Sequence, residues 1–248
     1  MSKNTNYSYV GIALIVLVFG ILFIPKIVDR VTNNDVTRDE SRSKKASTQI
    51  ADDAALVFLN INGEDKKVPA FSFTNQNGKT ITNKDYEGKV YIVEFFFTTC
   101  PTICPIMSKN LVQIQNNFVG YKDFGVASFT INPKHDTPNI LKEYAEKYGM
   151  KNPNWNLMTG DIDVIYELAN QGFNLYTAKD DEAEGGFEHS GNFALIDKNG
   201  FIRSRTDAYG NPKIYYKGII SEEEKYDVDG EEEEISILKE DIAKLLKE

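Results

Sequence analysis

Cys100 and Cys104 are the chain's two cysteines, and they stand in one short run, Cys100-Pro-Thr-Ile-Cys104-Pro. Thiols four residues apart at the start of a helix fall on the same side of one turn, close enough to share a metal ion or close a disulfide. The free N–H groups of a helix N-terminus favour the thiolate, the form that attacks disulfides and binds soft metals. Pro101 and Pro105 stiffen the turn. Two inert core cysteines are the plainer reading of any such pair. Here both cysteines sit in one proline-bracketed turn directly after an apolar run, VYIVEFFF, and that favours chemistry. His189, in FEHSGNFALID, is a lone histidine of the kind usually left to solvent. Its role depends on what the fold sets opposite it.

The elements that would do the positioning alternate. PAFSFTNQNGKTIT predicts a hairpin turning at Asn77-Gly78. Val90 to Phe97 is β-branched and aromatic, as a central buried strand requires. Ile106 to Phe118 has apolar residues at helical spacing, Val126 to Ile131 is strand-like, and Thr137-Pro138 opens a helix through Tyr148. Trp155 to Met158 reads as a strand, Asp161 as the cap of a helix to Gln171, and Phe193 to Asp197 as a strand turning at Lys198-Asn199-Gly200 into Phe201 to Arg205. A closing amphipathic helix spans Ile235 to Leu246. Strands separated by helices imply an α/β sheet with crossover connections.

In a sheet of the thioredoxin-like kind, the loop before Phe193 faces the dithiol turn. Thiol–disulfide oxidoreductases place a proline there, whereas this chain has none between Pro153 and Pro212 and offers His189 instead. Two thiolates and an imidazole suit monovalent copper in a three-coordinate site, and divalent copper with one further weak ligand. Structural zinc would want a fourth protein ligand. The remaining candidates are weaker. His135, in INPKHDTP, reads as structural or solvated beside Asp136 and Thr137, which are placed to cap the next helix; a transient copper contact is its minor alternative. Met107 reads as core. The acidic run SEEEKYDVDGEEEE lacks the ligand positions of a calcium loop and reads as a solvated, mobile insertion.

Composition bounds the rest. The 248 residues carry 28 Lys+Arg, 37 Asp+Glu and two His, a net charge of −9 that leaves no basic excess for nucleic acid. Two cysteines cannot build a disulfide scaffold, and two histidines cannot build an all-histidine metal site. No Arg lies between Arg42 and Arg203, which speaks against a thiol peroxidase. Residues 4–25 carry no charge and are long enough to cross a bilayer of about 30 Å. The predicted organisation is an uncleaved membrane anchor over 1–28, a charged flexible tether over 29–56 and one α/β domain over 57–248. Lys and Arg are more numerous after the span than before it, which by the positive-inside rule alone would keep the domain in the cytoplasm.

Taken together, the N-terminal span, TTCPTICP after VYIVEFFF, INPKHDTP, EHSGNFALIDKNG, YYKG and the final helix resemble the Sco/SenC family of membrane-tethered copper-binding proteins. The likeness covers roughly residues 69–205 and the closing segments. It implies a thioredoxin-like fold with an N-terminal transmembrane helix, and copper held by Cys100, Cys104 and His189. It implies a chaperone that helps assemble the dinuclear copper centre of cytochrome c oxidase. The implied partners are the oxidase's copper-binding subunit and another copper chaperone or a thiol reductant. It also implies a single-pass protein of a bacterial inner membrane with its domain on the periplasmic side, against the Lys and Arg count. The chain departs from the family at Glu188, where the family carries Asp, at His135, and over Ser204 to Asn211 and the acidic run. The alternative function is a membrane-tethered thiol–disulfide reductase in which Cys100 and Cys104 are the redox pair that keeps client cysteines reduced.

Overall fold

A computed structural model describes residues 13, 17–21, 23–25, 55–61, 63–180, 182–183, 185–207 and 210–248. The chain divides into two compact units, residues 1–52 and 53–248. Most of the predicted anchor and nearly all of the tether lie outside the described residues. Those described in the first unit are helical, and among the described residues no helix is long and apolar enough to cross a membrane.

The second unit runs β1 (Val57–Phe58), β2 (Asn60–Ile61), β3 (Glu64–Asp65), β4 (Ser72–Asn75), β5 (Thr80–Thr82), β6 (Val90–Phe96), α1 (Cys104–Asn117), β7 (Phe124–Thr130), α2 (Pro138–Tyr148), β8 (Trp155–Thr159) and α3 (Ile162–Glu167). There follow a π-helical turn (Leu168–Gly172), β9 (Thr177–Lys179), β10 (Phe187–His189), β11 (Asn192–Ile196), β12 (Ile202–Ser204), β13 (Tyr216–Lys217) and α4 (Ile235–Lys247). The main sheet has the order β1-β12-β11-β6-β7-β8-β4-β5, with β13 beside β11. Strands β6, β7 and β8 are parallel, while β11 and β4 flank them antiparallel. This is the α/β sheet that the alternation of signals predicted.

The two central strands are buried at every position, as expected of parallel strands covered on both faces. Strand alternation then sorts β6 into two packings. Tyr91 stacks on Tyr86, and Phe95 packs against Phe129 and Phe173; Phe96, on the opposite face, packs against Tyr144 of α2. The β4–β5 hairpin turns where predicted. The Asn75 carboxamide accepts the N–H groups of Asn77 and Lys79, and Gly78 takes a φ of +72° that a side chain would resist. Asp161 caps α3 through the N–H groups of Asp163 and Val164.

Two readings need correction. Asp136 does not cap α2; it is buried beneath the dithiol turn, as described below. The acidic run is exposed over most of its length, as expected of a solvated segment, but it is not free, because several of its carboxylates have partners outside it. Glu222 pairs with Lys239 and Ser236, Glu231 with Lys217, and Glu234 with Lys213 at 2.5 Å and the Lys217 N–H at 2.6 Å. The apolar face of α4 is buried as its period requires, yet it also buries Asp241. That carboxylate is satisfied by Arg205 Nε at 2.7 and 2.8 Å and by the Tyr216 hydroxyl at 2.8 Å.

Candidate metal centre

Strand β6 ends at Phe96, and the chain turns sharply before α1 begins. The Cys100 N–H closes that turn on the Phe97 carbonyl at 3.2 Å. Cys104 is the first residue of α1, with Pro105 behind it, so Cys100 lies in the turn ahead of the helix and not on its first turn. The predicted shared helical turn is therefore replaced by a tighter device. One of the free N–H groups of the helix start, that of Cys104, points at Cys100 Sγ from 3.4 Å.

The two thiols consequently differ, where the sequence suggested that both would ionise readily. Cys100 is held well below the usual thiol range, chiefly by the hydrogen bond from the Cys104 thiol, with help from His189 and from backbone N–H groups. Cys104 is 1% exposed, and burial, then the neighbouring Cys100, push its thiol up. The two thiols are thus shifted apart, Cys100 toward the thiolate and Cys104 toward the thiol.

His189 ends β10, a strand that pairs with β9 through Glu188↔Ala178 and His189↔Thr177. The hairpin was not foreseen, since its strands are three residues each and its turn residues are largely acidic. Beyond it the chain is held by Ser190 N–H on the Tyr176 carbonyl at 2.9 Å and by Gly218 N–H on the Gly191 carbonyl at 2.7 Å. Gly191 has no room for a side chain, as a Cβ would stand 2.2 Å from Ile219 Cγ2. His189 Nδ1 lies 3.2 Å from the Ser190 carbonyl oxygen, which can only accept. That contact turns the ring so that Nε2 faces Cys104 Sγ at 3.2 Å. Glu188 is exposed and lines the cavity beside this ring, while the partner of Nδ1 is the Ser190 carbonyl.

Cys100 Sγ, Cys104 Sγ and a His189 ring nitrogen all lie within 4.8 Å of one another, the one such group of potential metal ligands among the described residues. Sulfur and imidazole bond a metal ion at about 2.0–2.3 Å, so donors at this spacing reach one ion with small adjustments. A cavity of about 280 Å³ opens on the site and is lined by Cys100, Thr102, Ile103, Phe187 and His189, among others. Cys104 lies beneath it. A larger cavity of about 610 Å³ sits at the opposite end of the parallel strands, around Asn154 and Trp155, and shares no residue with the site.

His135 is not brought to the sulfurs. Its Nδ1 lies 2.8 Å from Asp136 Oδ1. Met107 is core. Asp136 is the residue that sequence reasoning missed. Fully buried, it accepts the Thr98 N–H at 3.0 Å and the hydroxyls of Thr98 and Thr130, tying the approach to Cys100 onto β7.

A thioredoxin-like α/β fold with a two-cysteine, one-histidine group beyond the C-terminal end of its central strand defines a class of thiol-based metal-binding domains. The chain belongs to the SCO1/SenC family, whose model matches residues 60–222. It is 32% identical over 180 residues to the SCO1 protein homolog of Bacillus subtilis, an alignment covering 68% of this chain and 92% of that protein. A SCO1/SenC family lipoprotein from Bacillus anthracis matches in structure with a TM-score of 0.58 at 30% identity, over 73% of this chain and 95% of that one. The Arabidopsis thaliana ScoI structure, solved with copper bound, shares the fold at a TM-score of 0.52 and 22% identity, over 73% of this chain and 98% of that one.

Proposed function

We propose that this protein is a copper carrier that binds one ion through Cys100, Cys104 and His189 and passes it on by ligand exchange. The convergence of two sulfurs and one imidazole carries the reading. Soft sulfur donors in a set of three suit monovalent copper, whereas structural zinc takes four protein ligands. Cys100, shifted toward the thiolate and lining the cavity, is the sulfur an incoming donor or departing acceptor meets first. Cys104 gives up its proton as the metal arrives. His189, with Nδ1 tied to the Ser190 carbonyl, keeps Nε2 free to bond. The recipient is the dinuclear copper centre of cytochrome c oxidase, reached by a domain tethered on the outer side of a bacterial inner membrane.

Titration of the reduced protein with monovalent copper tests this. One equivalent should bind tightly, and oxidation of the cysteines should abolish binding, because a disulfide sulfur is a far poorer donor than a thiolate. More than one tight site, or binding that survives oxidation, refutes it. A periplasm-dependent reporter fused after Glu248 should be active; activity from a cytoplasm-dependent reporter alone reverses the orientation.

The thiolate of Cys100 beside a cavity also favours a second reading, a thiol–disulfide reductase for client cysteines. His189→Ala separates the two. A reductase keeps its activity in that variant, whereas a copper carrier loses affinity, most visibly for divalent copper with its stronger preference for nitrogen.

A further inference from the structure

Helix α1 carries Cys104 at its first position and Asn110 six residues on, about 9 Å further along the axis. Asn110 is 1% exposed. Its Nδ2 donates to the Gly218 carbonyl at 2.9 Å and to the Ile220 carbonyl at 3.2 Å. Both partners can only accept, so the NH2 end of the carboxamide is the end that fits against them. Its Oδ1 is sealed from solvent and has no hydrogen-bond partner. An orphaned acceptor is costly, and the two bonds at the other end of the same amide are what offset it.

The segment that Asn110 holds leads to His189. Gly218 follows β13, whose Tyr216 and Lys217 pair with Phe193 and Asn192 at the start of β11. The Gly218 N–H donates to the carbonyl of Gly191, two residues after His189, at 2.7 Å. Gly218 lies directly on the Phe193 ring, where a Cβ would stand 2.5 Å from Cζ. Gly191 in turn sits between Ile219 and Ile103, the residue just before Cys104. These contacts close a ring of ties. One helix fixes Cys104 relative to Asn110, Asn110 holds Gly218, Gly218 holds Gly191, and Gly191 is two residues from the histidine. The 3.2 Å between Cys104 Sγ and His189 Nε2 is the gap across which that ring closes. Among the described residues, Asn110 is the one side chain of α1 hydrogen-bonded to this segment.

We propose that Asn110 is a positioning residue for copper binding: by holding Gly218 it keeps the His189 imidazole within reach of the ion that Cys104 binds. It touches neither the ion nor its ligands. The inference rests on His189 being a copper ligand, and names what holds that ligand in place. Its consequence is selective. Imidazole nitrogen matters most to divalent copper, while the two sulfurs carry most of the affinity for monovalent copper. Loss of Asn110 should therefore loosen the divalent ion and largely spare the monovalent one.

The test is a double-mutant cycle of Asn110→Ala and His189→Ala in the full chain, read by titration with divalent and with monovalent copper. Tyr216 keeps its bond to Asp241, and β13 its pairing with β11, so the variant should fold. Asn110→Ala should weaken divalent copper about tenfold, as loss of a ligand's support does. Monovalent copper should change by no more than about twofold. In the His189→Ala background the same substitution should change neither, because a ring that is absent cannot be misplaced. Asn110→Ser, whose hydroxyl is too short to reach both carbonyls, runs in parallel and should show the same selectivity at smaller size. Without metal, the Gly218 amide should exchange with solvent faster in Asn110→Ala, while the amides of β6 and β7 keep their rates. Equal losses of affinity with and without His189 indicate a role in the fold alone and overturn the proposal. Unchanged divalent affinity, or unchanged exchange at Gly218, overturns it as well and leaves the copper ligands standing. If His189→Ala by itself leaves divalent copper unaffected, the ligand set fails, and the role of Asn110 fails with it.

Discussion

Two cysteines of one sequence segment are shifted in opposite directions, Cys100 down chiefly through the Cys104 thiol with the helix-start N–H adding to it, and Cys104 up through its burial. The cavity side of the site therefore favours the thiolate and the inner side the thiol. Cys100→Ser and Cys104→Ser should each abolish tight copper binding in a reduced-protein titration, with unchanged far-ultraviolet circular dichroism, since a hydroxyl is a poor ligand for a soft ion. Glu94, 1% exposed on β6, makes a separate prediction about stability. Burial pushes its carboxyl up to about 7, above the ordinary 4.5, so the folded chain holds a proton that the unfolded chain releases. Stability from this site is present at low pH and lost as pH rises through about 7. Glu94→Gln should match the natural chain at about pH 4 and exceed it by up to about 3 kcal/mol at about pH 8 in denaturant unfolding. Equal stability of the two at both pH values would show that the carboxyl is not so perturbed.

Elements place these residues through a small number of ties. The Thr98–Cys100 segment is held to β7 by Asp136, whose carboxylate takes three donors from Thr98 and Thr130. Asp136→Ala orphans them, and the expected cost is about 2–5 kcal/mol in urea unfolding. Copper affinity should fall with it, because Cys100 loses its fixed approach. On the other side, Gly191 lets the chain after His189 pass against Ile219. Gly191→Ala should weaken copper binding, with the divalent form affected most, and leave the cysteines as readily oxidised as before. The acidic segment is tied to α4 and β13 by its own ion pairs. Replacing its exposed tip, residues 227–230, with a short neutral turn should leave copper affinity within about twofold, since carboxylates bind soft ions poorly.

At the scale of the whole molecule, the site stands where the sheet changes direction. Parallel β6 delivers the cysteine turn at its C-terminal end, and antiparallel β11, beside it, is entered from the end of β10, which bears His189. The sheet spans β1 to β5 without elements from the first unit, and the compact unit begins at Asp53. A chain starting at Asp53 should therefore fold, bind copper as the full chain does, and unfold in one cooperative transition. Recovery of that fragment only as aggregate would place the domain boundary earlier.

The sequence by itself determined most of the elements and two of the three members of the Cys–Cys–His group. Apolar periodicity is a local property, and VYIVEFFF, the Asn77-Gly78 turn and the α4 stripe could be read from neighbours in the chain. The cysteine pair was legible because its members are four residues apart. His189 was legible only through the expected sheet order, since it meets Cys104 across 85 residues. The tertiary structure alone decided the rest. It made the thiols unequal, since burial depth is set by packing and not by spacing. It turned Asp136 from a helix cap into the tie beneath the site, because β6 and β7 bring Thr98 and Thr130 to it. It gave the acidic run its lysines. The lone acid in an apolar strand was visible at Glu94, but its burial with one oxygen unpartnered was not. Hydrogen-bond satisfaction is a sum over neighbours distant in sequence, and only the folded chain supplies them.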